Sequence, residues 1–235
     1  MNKINAVFIT GTCTGVGKTV VTGLLGRLLK EKGIRAVTQK WVQTGCSEVT
    51  GDIMTHAMFM KRGKDVPDKY RPHMTPYVLD FPSSPHLAAL LEKKRIDPAI
   101  IENAFHRLST DFEFVLVEGS GGLMVPINDK EMIVDIVERL RLPVLVVAEN
   151  KLGAINHTLL TVEALRKRDL SLAGVIFNRL SDEGNEVILK DNLRVVESLA
   201  GADVLGELRH EKNIDVLFEA FRPIGERVLD KLGLA

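Results

Sequence analysis

Residues 10 to 19 read T-G-T-C-T-G-V-G-K-T, and this stretch from Thr10 to Thr19 decides the fold. It follows the apolar run Ile4 to Ile9, which reads as a strand, and enters Val20 to Leu29, where apolar residues recur at helical spacing. Small residues on such a strand-to-helix turn let successive backbone N–H groups face one centre, and the new helix adds its positive end. That is a phosphate site. Its cradle runs through Gly15, Val16, Gly17, Lys18, Thr19 and Val20; Lys18 brings a full charge to the outer phosphates, and Thr19 offers its hydroxyl to Mg²⁺. The strict pattern G-x-x-x-x-G-K-[ST] is not met, because Thr12 stands in its first glycine slot and Gly11 lies one position too early. The succession of strand, turn, Lys-Thr and helix favours a phosphate loop over an ordinary glycine-containing turn with a surface lysine.

Outward from this loop, strands and helices alternate. The first helix is expected to stop at Glu31-Lys32-Gly33 with the glycine as its C-cap, and Ile34 to Thr38 forms a second strand. Lys40 lies just beyond it, at the edge where ligands collect on open α/β sheets, although a solvated loop lysine would read the same way. Asp52 opens another helical pattern, where it either complements the helix dipole or stands near Mg²⁺. Asp65 to Pro85 is rich in proline and turn residues and reads as a long surface connection that shapes a substrate site. Ser83-Ser84 then leads as a serine cap into the apolar residues Leu87 to Leu91.

A helix over Asp97 to Leu108 precedes the strand Phe114 to Val117, apolar on both faces as a central parallel strand must be. Glu118 ends it, followed by glycines, and a carboxylate there is placed to meet Mg²⁺ directly or through water. Pro143 to Ala148 repeats the buried-strand signature, and Lys151 to His157 carries the chain into a helix over Thr158 to Arg168. The strand Leu172 to Phe177 ends at Asn178, whose amide suits a nucleobase edge or simply a turn. A helix over Val187 to Leu199, a strand over Asp203 to Leu208 and a helix over Ile214 to Leu232 close the pattern. The expectation is an α/β fold in one domain, residues 1–235: a doubly wound, mainly parallel sheet of six or seven strands with helices on both faces.

Composition narrows the function. Lys plus Arg equals Asp plus Glu at 31 each, so no net field favours nucleic acid or an anionic membrane, and local charge must do any anion binding. Cys13 and Cys46 cannot make a disulfide framework, and Cys13 lies inside the phosphate loop, which fits a reduced cytoplasm. With no signal-like amino terminus and no apolar run of membrane-spanning length, the chain is expected to be soluble, cytoplasmic and unprocessed.

Three loops taken together resemble dethiobiotin synthetase, a phosphate-loop family of the biotin pathway: G-T-C-T-G-V-G-K-T at Gly11 to Thr19, K-W-V-Q-T-G at Lys40 to Gly45 and V-E-G-S-G-G at Val117 to Gly122. S-S-P-H at Ser83 to His86, K-L-G-A-I-N-H at Lys151 to His157 and V-L-G-E at Val204 to Glu207 extend the likeness over most of the chain. The resemblance implies a homodimer that joins CO₂ to 7,8-diaminononanoate at the expense of ATP and Mg²⁺. It assigns Lys18, Lys40 and Thr14 to catalysis, Thr19, Asp52 and Glu118 to the metal, and Asn178 to the nucleobase. Thr44, Ser84, Gly153, Asn156 and Asn192 fall to the substrate, with Gly153 and Asn156 supplied by the neighbouring subunit and Asn192 directed at the distal carboxylate.

Four positions depart from the family pattern. Cys13 stands where aspartate is frequent, Gly15 where some members have glutamate, Trp41 in place of the usual proline, and Arg209 where a proline commonly follows the G-E-I stretch. Two other classes compete with this resemblance. Regulatory ATPases of the partition and cell-division type share the fold, but their loop carries an early lysine that is absent before Gly17 here. Amide-forming ligases of cofactor biosynthesis share the chemistry, but usually carry an added amidotransferase domain for which this length leaves no room.

Overall fold

The computed structural model describes residues 5–46, 51–62 and 68–234. The chain runs through β1 (Ala6–Gly11), α1 (Lys18–Glu31), β2 (Ala36–Lys40), β3 (Val42–Thr44), α2 (Gly51–Phe59), a 3-10 turn (Asp68–Tyr70), α3 (Arg71–Met74), β4 (Tyr77–Leu79), α4 (Pro85–Leu91) and α5 (Pro98–Asp111). It continues through β5 (Phe114–Gly122), α6 (Ile133–Leu140), β6 (Val144–Glu149), α7 (Ala154–Arg166), β7 (Leu172–Asn178), α8 (Glu186–Ala200), β8 (Val204–Leu208) and α9 (Ile214–Leu232).

Six strands form one parallel sheet in the order β2-β5-β1-β6-β7-β8. β2 and β5 lie on one side of β1 and the later strands on the other, so the winding reverses at β1 and a crevice opens at the carboxyl ends there. The register sets Lys40 beside Glu118 and Glu118 beside Ile9. Glu118 does not end its strand as expected: β5 runs on to Gly122 because its pairing with β1 continues to Gly11.

Alternate side chains of each strand enter two cores. Phe8, Val37, Val115, Val117 and Val146 pack with Ile101 and Phe105 of α5 and Ile136 of α6. Val7, Ile9, Leu116 and Leu145 pack with Leu24 and Leu28 of α1 and Phe218 and Phe221 of α9. Burial on both faces explains why these strands are continuous apolar runs and not alternating ones. Trp41 belongs to the first core: it is buried with its ring centroid 4.9 Å from that of Phe8, and its Nε1 donates to Gln39 Oε1 at 3.1 Å. The departure from proline at this position therefore fills the interior and leaves the ligand crevice untouched.

Several expected boundaries move. Gly33 follows α1 with φ 80°, while Gly33 N–H donates to Lys30 O and Ile34 N–H to Leu29 O, the paired bonds that close a helix end. The expected surface connection 65–85 is structured where described: the 3-10 turn, α3 and β4 fall within it, β4 pairs with β3 as a small parallel sheet, and Tyr70, Met74 and Leu79 are buried. Its first three residues lie outside the described ones. These elements are too short to show a period, and tertiary burial holds them. Helix α6, unassigned in the sequence, carries Ile133, Val134, Ile136, Val137 and Leu140 into the core. Helix α7 starts at Ala154 and not at Thr158, because Gly153 adopts φ 89° at its N-cap and turns the chain straight into it.

Candidate active site

The phosphate loop is shaped by close approach. A Cβ on Gly11 would lie 2.7 Å from Val16 Cγ2 and 2.8 Å from Cys13 O, so this early glycine is required by contact inside the loop. Gly15 and Gly17 take φ 79° and 99°, which side chains disfavour, and a Cβ on Gly17 would meet Asn178 Nδ2 at 2.1 Å. Asn178, buried at the end of β7, donates that amide to Val16 O at 2.9 Å and so ties the loop to the far side of the sheet.

On the near side, charges from four elements converge. Lys18 is buried and its Nζ donates to Cys13 O at 3.3 Å. Burial, joined by repulsion from Lys40 and only partly opposed by Glu118 and Asp52, lowers its pKa to about 8. Lys40 Nζ lies 2.7 Å from Asp52 Oδ2 and 2.8 Å from Glu118 Oε1, and donates to Gly119 O at 3.0 Å. Its burial favours the neutral amine, but the two carboxylates prevail and hold its pKa above the usual lysine range. Glu118 is likewise buried; burial alone would raise its pKa, yet Lys40 and the bond to His56 keep the carboxyl well below the ordinary range. Thr19 Oγ1 completes the group, 3.3 Å from Asp52 Oδ1 and 3.1 Å from Glu118 Oε1.

These residues line one cavity of about 660 Å³, together with Thr14, Gly15, Thr44 and Ser84. The sequence-predicted residues thus divide. Thr14, Gly15, Lys18, Thr19, Lys40, Thr44, Asp52, Ser84 and Glu118 come together, while Val16, Gly17, Val20, Gly153, Asn156, Asn178 and Asn192 do not line this cavity. Ser84 stands at the N-cap of α4 without capping it through its side chain; its hydroxyl instead pairs with His86 Nδ1 at 3.1 Å. Asn192 is buried, and its Nδ2 donates to Asn150 Oδ1 at 2.7 Å and to Lys151 O at 3.0 Å, so it props the loop that leads to Gly153. Asn156 is exposed in the first turn of α7, whose N-cap is Gly153.

Three contributors escape the sequence reading. Gln43 Oε1 accepts from the Asp52 N–H at 3.1 Å, seating the start of α2, and a Cβ on Gly51 would collide with the Gln43 side chain at 2.9 Å. Ser120 Oγ donates to Val42 O and ties β5 to β3. His56, fully buried on α2, lies with Nε2 2.6 Å from Glu118 Oε2. The available signal for His56 is its i, i+4 spacing from Asp52, which puts both on one helix face.

Beyond Asn178 lies a polar lattice. Arg179 Nε donates to Glu207 Oε1 at 2.7 Å and its Nη1 to Glu186 Oε1 at 2.5 Å, contacts that hold the guanidinium pKa above its normal range. Asn150 Nδ2 reaches the same Glu207 oxygen at 2.5 Å. Arg209 is 70% exposed at its side chain, 3.9 Å from Glu207.

The oxygen donors fit Mg²⁺. Two carboxylates and a hydroxyl within reach of each other are hard ligands, and Lys40 Nζ already places a positive charge between Asp52 and Glu118. Among the described residues no cluster of three or more His, Cys, Asp or Glu forms a metal cage. Mg²⁺ needs none, since it usually takes one or two carboxylates and completes its shell with water and phosphate.

Sheet order, loop geometry and the acidic pair of Asp52 on α2 and Glu118 on β5 define a phosphate-loop ATPase. A family model described as an AAA domain matches residues 5–216. The Pyrococcus furiosus cell division ATPase MinD superposes with a TM-score of 0.58 over 97% of this chain and 99% of that one at 17% identity. A plasmid partition protein from Borrelia burgdorferi gives 0.60 over 97% and 100% at 13%; these likenesses describe the fold alone.

Sequence relatives are more specific. The chain is 38% identical to the ATP-dependent dethiobiotin synthetase BioD 2 of Haemophilus influenzae, over 82% of this chain and 99% of that protein. It is 41% identical to the BioD protein of Chlorobaculum tepidum over 83% and 80%, and 35% identical to that of Methanococcus vannielii over 88% and 94%. The chain belongs to the dethiobiotin synthetase family, and it is an enzyme of that ligase class.

Proposed function

We propose that this enzyme closes the ureido ring of dethiobiotin from 7,8-diaminononanoate and CO₂, driven by ATP. In this reading one substrate amine adds to CO₂ and loses a proton, giving a carbamate. A carbamate oxygen then takes the γ-phosphoryl group and releases ADP. The second amine attacks the carbonyl carbon of this mixed anhydride, expels phosphate and loses a proton as the ring closes. No protein nucleophile is needed, so the enzyme acts by positioning and charge.

The observation that carries the proposal is the convergence of two lysines on one acidic pair inside a single cavity. A carbamate and a triphosphate repel one another. Lys18, at the start of α1, and Lys40, at the end of β2, bring positive charge to the place where they must meet. Thr14, Thr44 and Ser84, all on the cavity wall, are the hydrogen-bonding groups for carbamate, phosphate and the polar end of the diamine. Thr19, Asp52 and Glu118 would hold Mg²⁺, which neutralises phosphate charge when bound.

In the same reading the site is completed across a homodimer. Asn156 is exposed on α7 and makes no side-chain bond among the described residues; Leu152 and Leu160 beside it are 80% and 61% exposed. An apolar surface flanking an unengaged amide suits a second copy that receives the amide in its own cavity. Asn192 then serves the substrate carboxylate indirectly, by fixing the loop before Gly153. Purified protein supplied with ATP, Mg²⁺, bicarbonate and diaminononanoate should yield dethiobiotin by mass spectrometry. ATP hydrolysis without that product would sink the proposal in favour of a nucleotide switch.

A further inference from the structure

Helix α2 brings a second polar group to the acidic pair, and the reaction proposed above makes no use of it. His56 Nε2 lies 2.6 Å from Glu118 Oε2, whereas Thr19 Oγ1 and Lys40 Nζ approach the other oxygen, Oε1. The two oxygens of one carboxylate therefore have separate partners. An ionised carboxylate only accepts, so the ring donates through Nε2–H. Among the described residues Nδ1 has no partner, although His56 is fully buried. An orphaned polar atom in the interior lowers stability, so packing alone gives no reason for histidine here.

The seat for this ring is built by α1. A Cβ on Gly23 would lie 2.6 Å from Phe59 Cβ and 3.3 Å from His56 Cα, and one on Gly26 would lie 2.8 Å from Met60 Sδ. Two glycines about one turn apart thus let α2 approach closely enough for Asp52 and His56 to reach Glu118 together.

We infer that His56 is a positioning residue that fixes the rotation of the Glu118 carboxylate, presents Oε1 to the cavity and so sets the affinity of the site for a divalent cation. The inference rests on the reading of Glu118 as a cation ligand. Its test is titration of the full-length protein with Mn²⁺ in the presence of ADP, followed by electron paramagnetic resonance, which reads binding without turnover. The variants are His56→Leu, His56→Met, His56→Gln and Glu118→Gln, each checked for folding by circular dichroism. Leucine and methionine fill the space without a donor, so one serves if the other does not fold; glutamine restores an amide N–H that reaches Glu118.

Loss of the donor is expected to weaken Mn²⁺ binding about 10- to 100-fold, and His56→Gln to stay within about threefold of the parent. The role given to His56 is wrong, and the cation site stands, if the donor-less variants bind as the parent does while Glu118→Gln is weakened about tenfold or more. Weakening by His56→Gln equal to that by leucine also overturns it, since the ring and not the bond would then matter. Unchanged binding in Glu118→Gln instead removes the cation reading itself.

Discussion

The two flanks of β1 are built from different chemistry. On the side of β2 and β5, ionic groups meet: Lys40 lies 2.7 Å from Asp52 and 2.8 Å from Glu118, and Lys18, held by Cys13 O at 3.3 Å, is close enough to feel the charges of all three. On the side of β6, β7 and β8, amides and an arginine are already engaged within the chain: Asn178 with Val16 O, Asn192 with Asn150, and Arg179 with Glu186 and Glu207. The first flank holds charge whose full use needs a bound anion. The second is largely satisfied as it stands, and its exposed residues, Gly153 and Asn156, face outward. Transfer of a phosphoryl group needs concentrated charge, whereas recognition of a base or a partner can share neutral groups with the scaffold.

If that division is right, breaking the ionic flank gives the largest effect. Lys18→Ala and Glu118→Ala should each lower kcat/KM by roughly 10³-fold or more, on the order of 4 kcal/mol of transition-state stabilisation, with the far-ultraviolet spectrum unchanged. Near-parental turnover of either variant at saturating ATP and Mg²⁺ would remove its assigned role.

The outward-facing residues of the second flank are tested by mixing subunits. Lys18→Ala and Asn156→Ala proteins, each nearly inactive alone, should recover roughly a quarter of parental activity when exchanged at equal amounts, because half the dimers are hybrids with one intact composite site. No recovery after verified subunit exchange would mean that each site lies within one chain.

Legibility in the sequence follows the same division. Lys18 can be found as part of the phosphate loop, and Lys40 and Glu118 because ionic residues next to buried apolar strands are rare unless they serve chemistry; Asp52 is found only through the family resemblance, since an acidic residue at a helix start is common. The parallel sheet is equally legible, since strands buried on both faces are unbroken apolar runs. His56 is not: within Ile53 to Phe59 it reads as one residue of a short core helix, and only the three-dimensional placement of Glu118 gives it a partner. The motif gives Asn192 to the substrate, but an amide on a helix shows nothing in sequence of whether it faces a cavity or a neighbouring loop. The start of α7 is hidden for a related reason, since Gly153 signals a break and the sequence does not say that the break opens a helix.

A subtler break of the ionic flank leaves every charge in place. Gly23→Ala sets a methyl against Phe59 and His56, so α2 must shift away from α1. The expected outcome is about 1–3 kcal/mol lost in denaturant melts, and a roughly tenfold drop in kcat/KM as Asp52 and His56 withdraw from Glu118. ADP affinity measured in EDTA should stay within about twofold, since the phosphate loop is untouched. A matching loss of ADP affinity would show that the loop and α2 are not separable.

Proton linkage sharpens the picture on the phosphate loop. Free Lys18, with its pKa lowered to about 8, is half-charged at that pH, and a bound phosphate restores the charged form. The complex then holds more protons than the free enzyme, so ADP affinity in EDTA falls as pH rises through about 8. Calorimetry at about pH 8 in buffers of differing ionisation enthalpy should report uptake of about half a proton. Zero uptake would mean that Lys18 does not change charge on binding.

The smallest effect is expected where the second flank meets the nucleobase. Asn178 already spends one amide N–H on Val16 O, Arg179 is held by two carboxylates, and Arg209 extends into solvent in the place of a rigid proline. Cys13 is exposed on the loop where a carboxylate would add a further contact. Discrimination between bases needs buried polar groups that are left unpaired by the wrong one, and here the scaffold pairs them beforehand. Turnover with CTP and GTP is therefore expected within about tenfold of that with ATP, whereas a preference near a hundredfold, about 2.7 kcal/mol, would require a base contact that this lattice of engaged side chains does not offer.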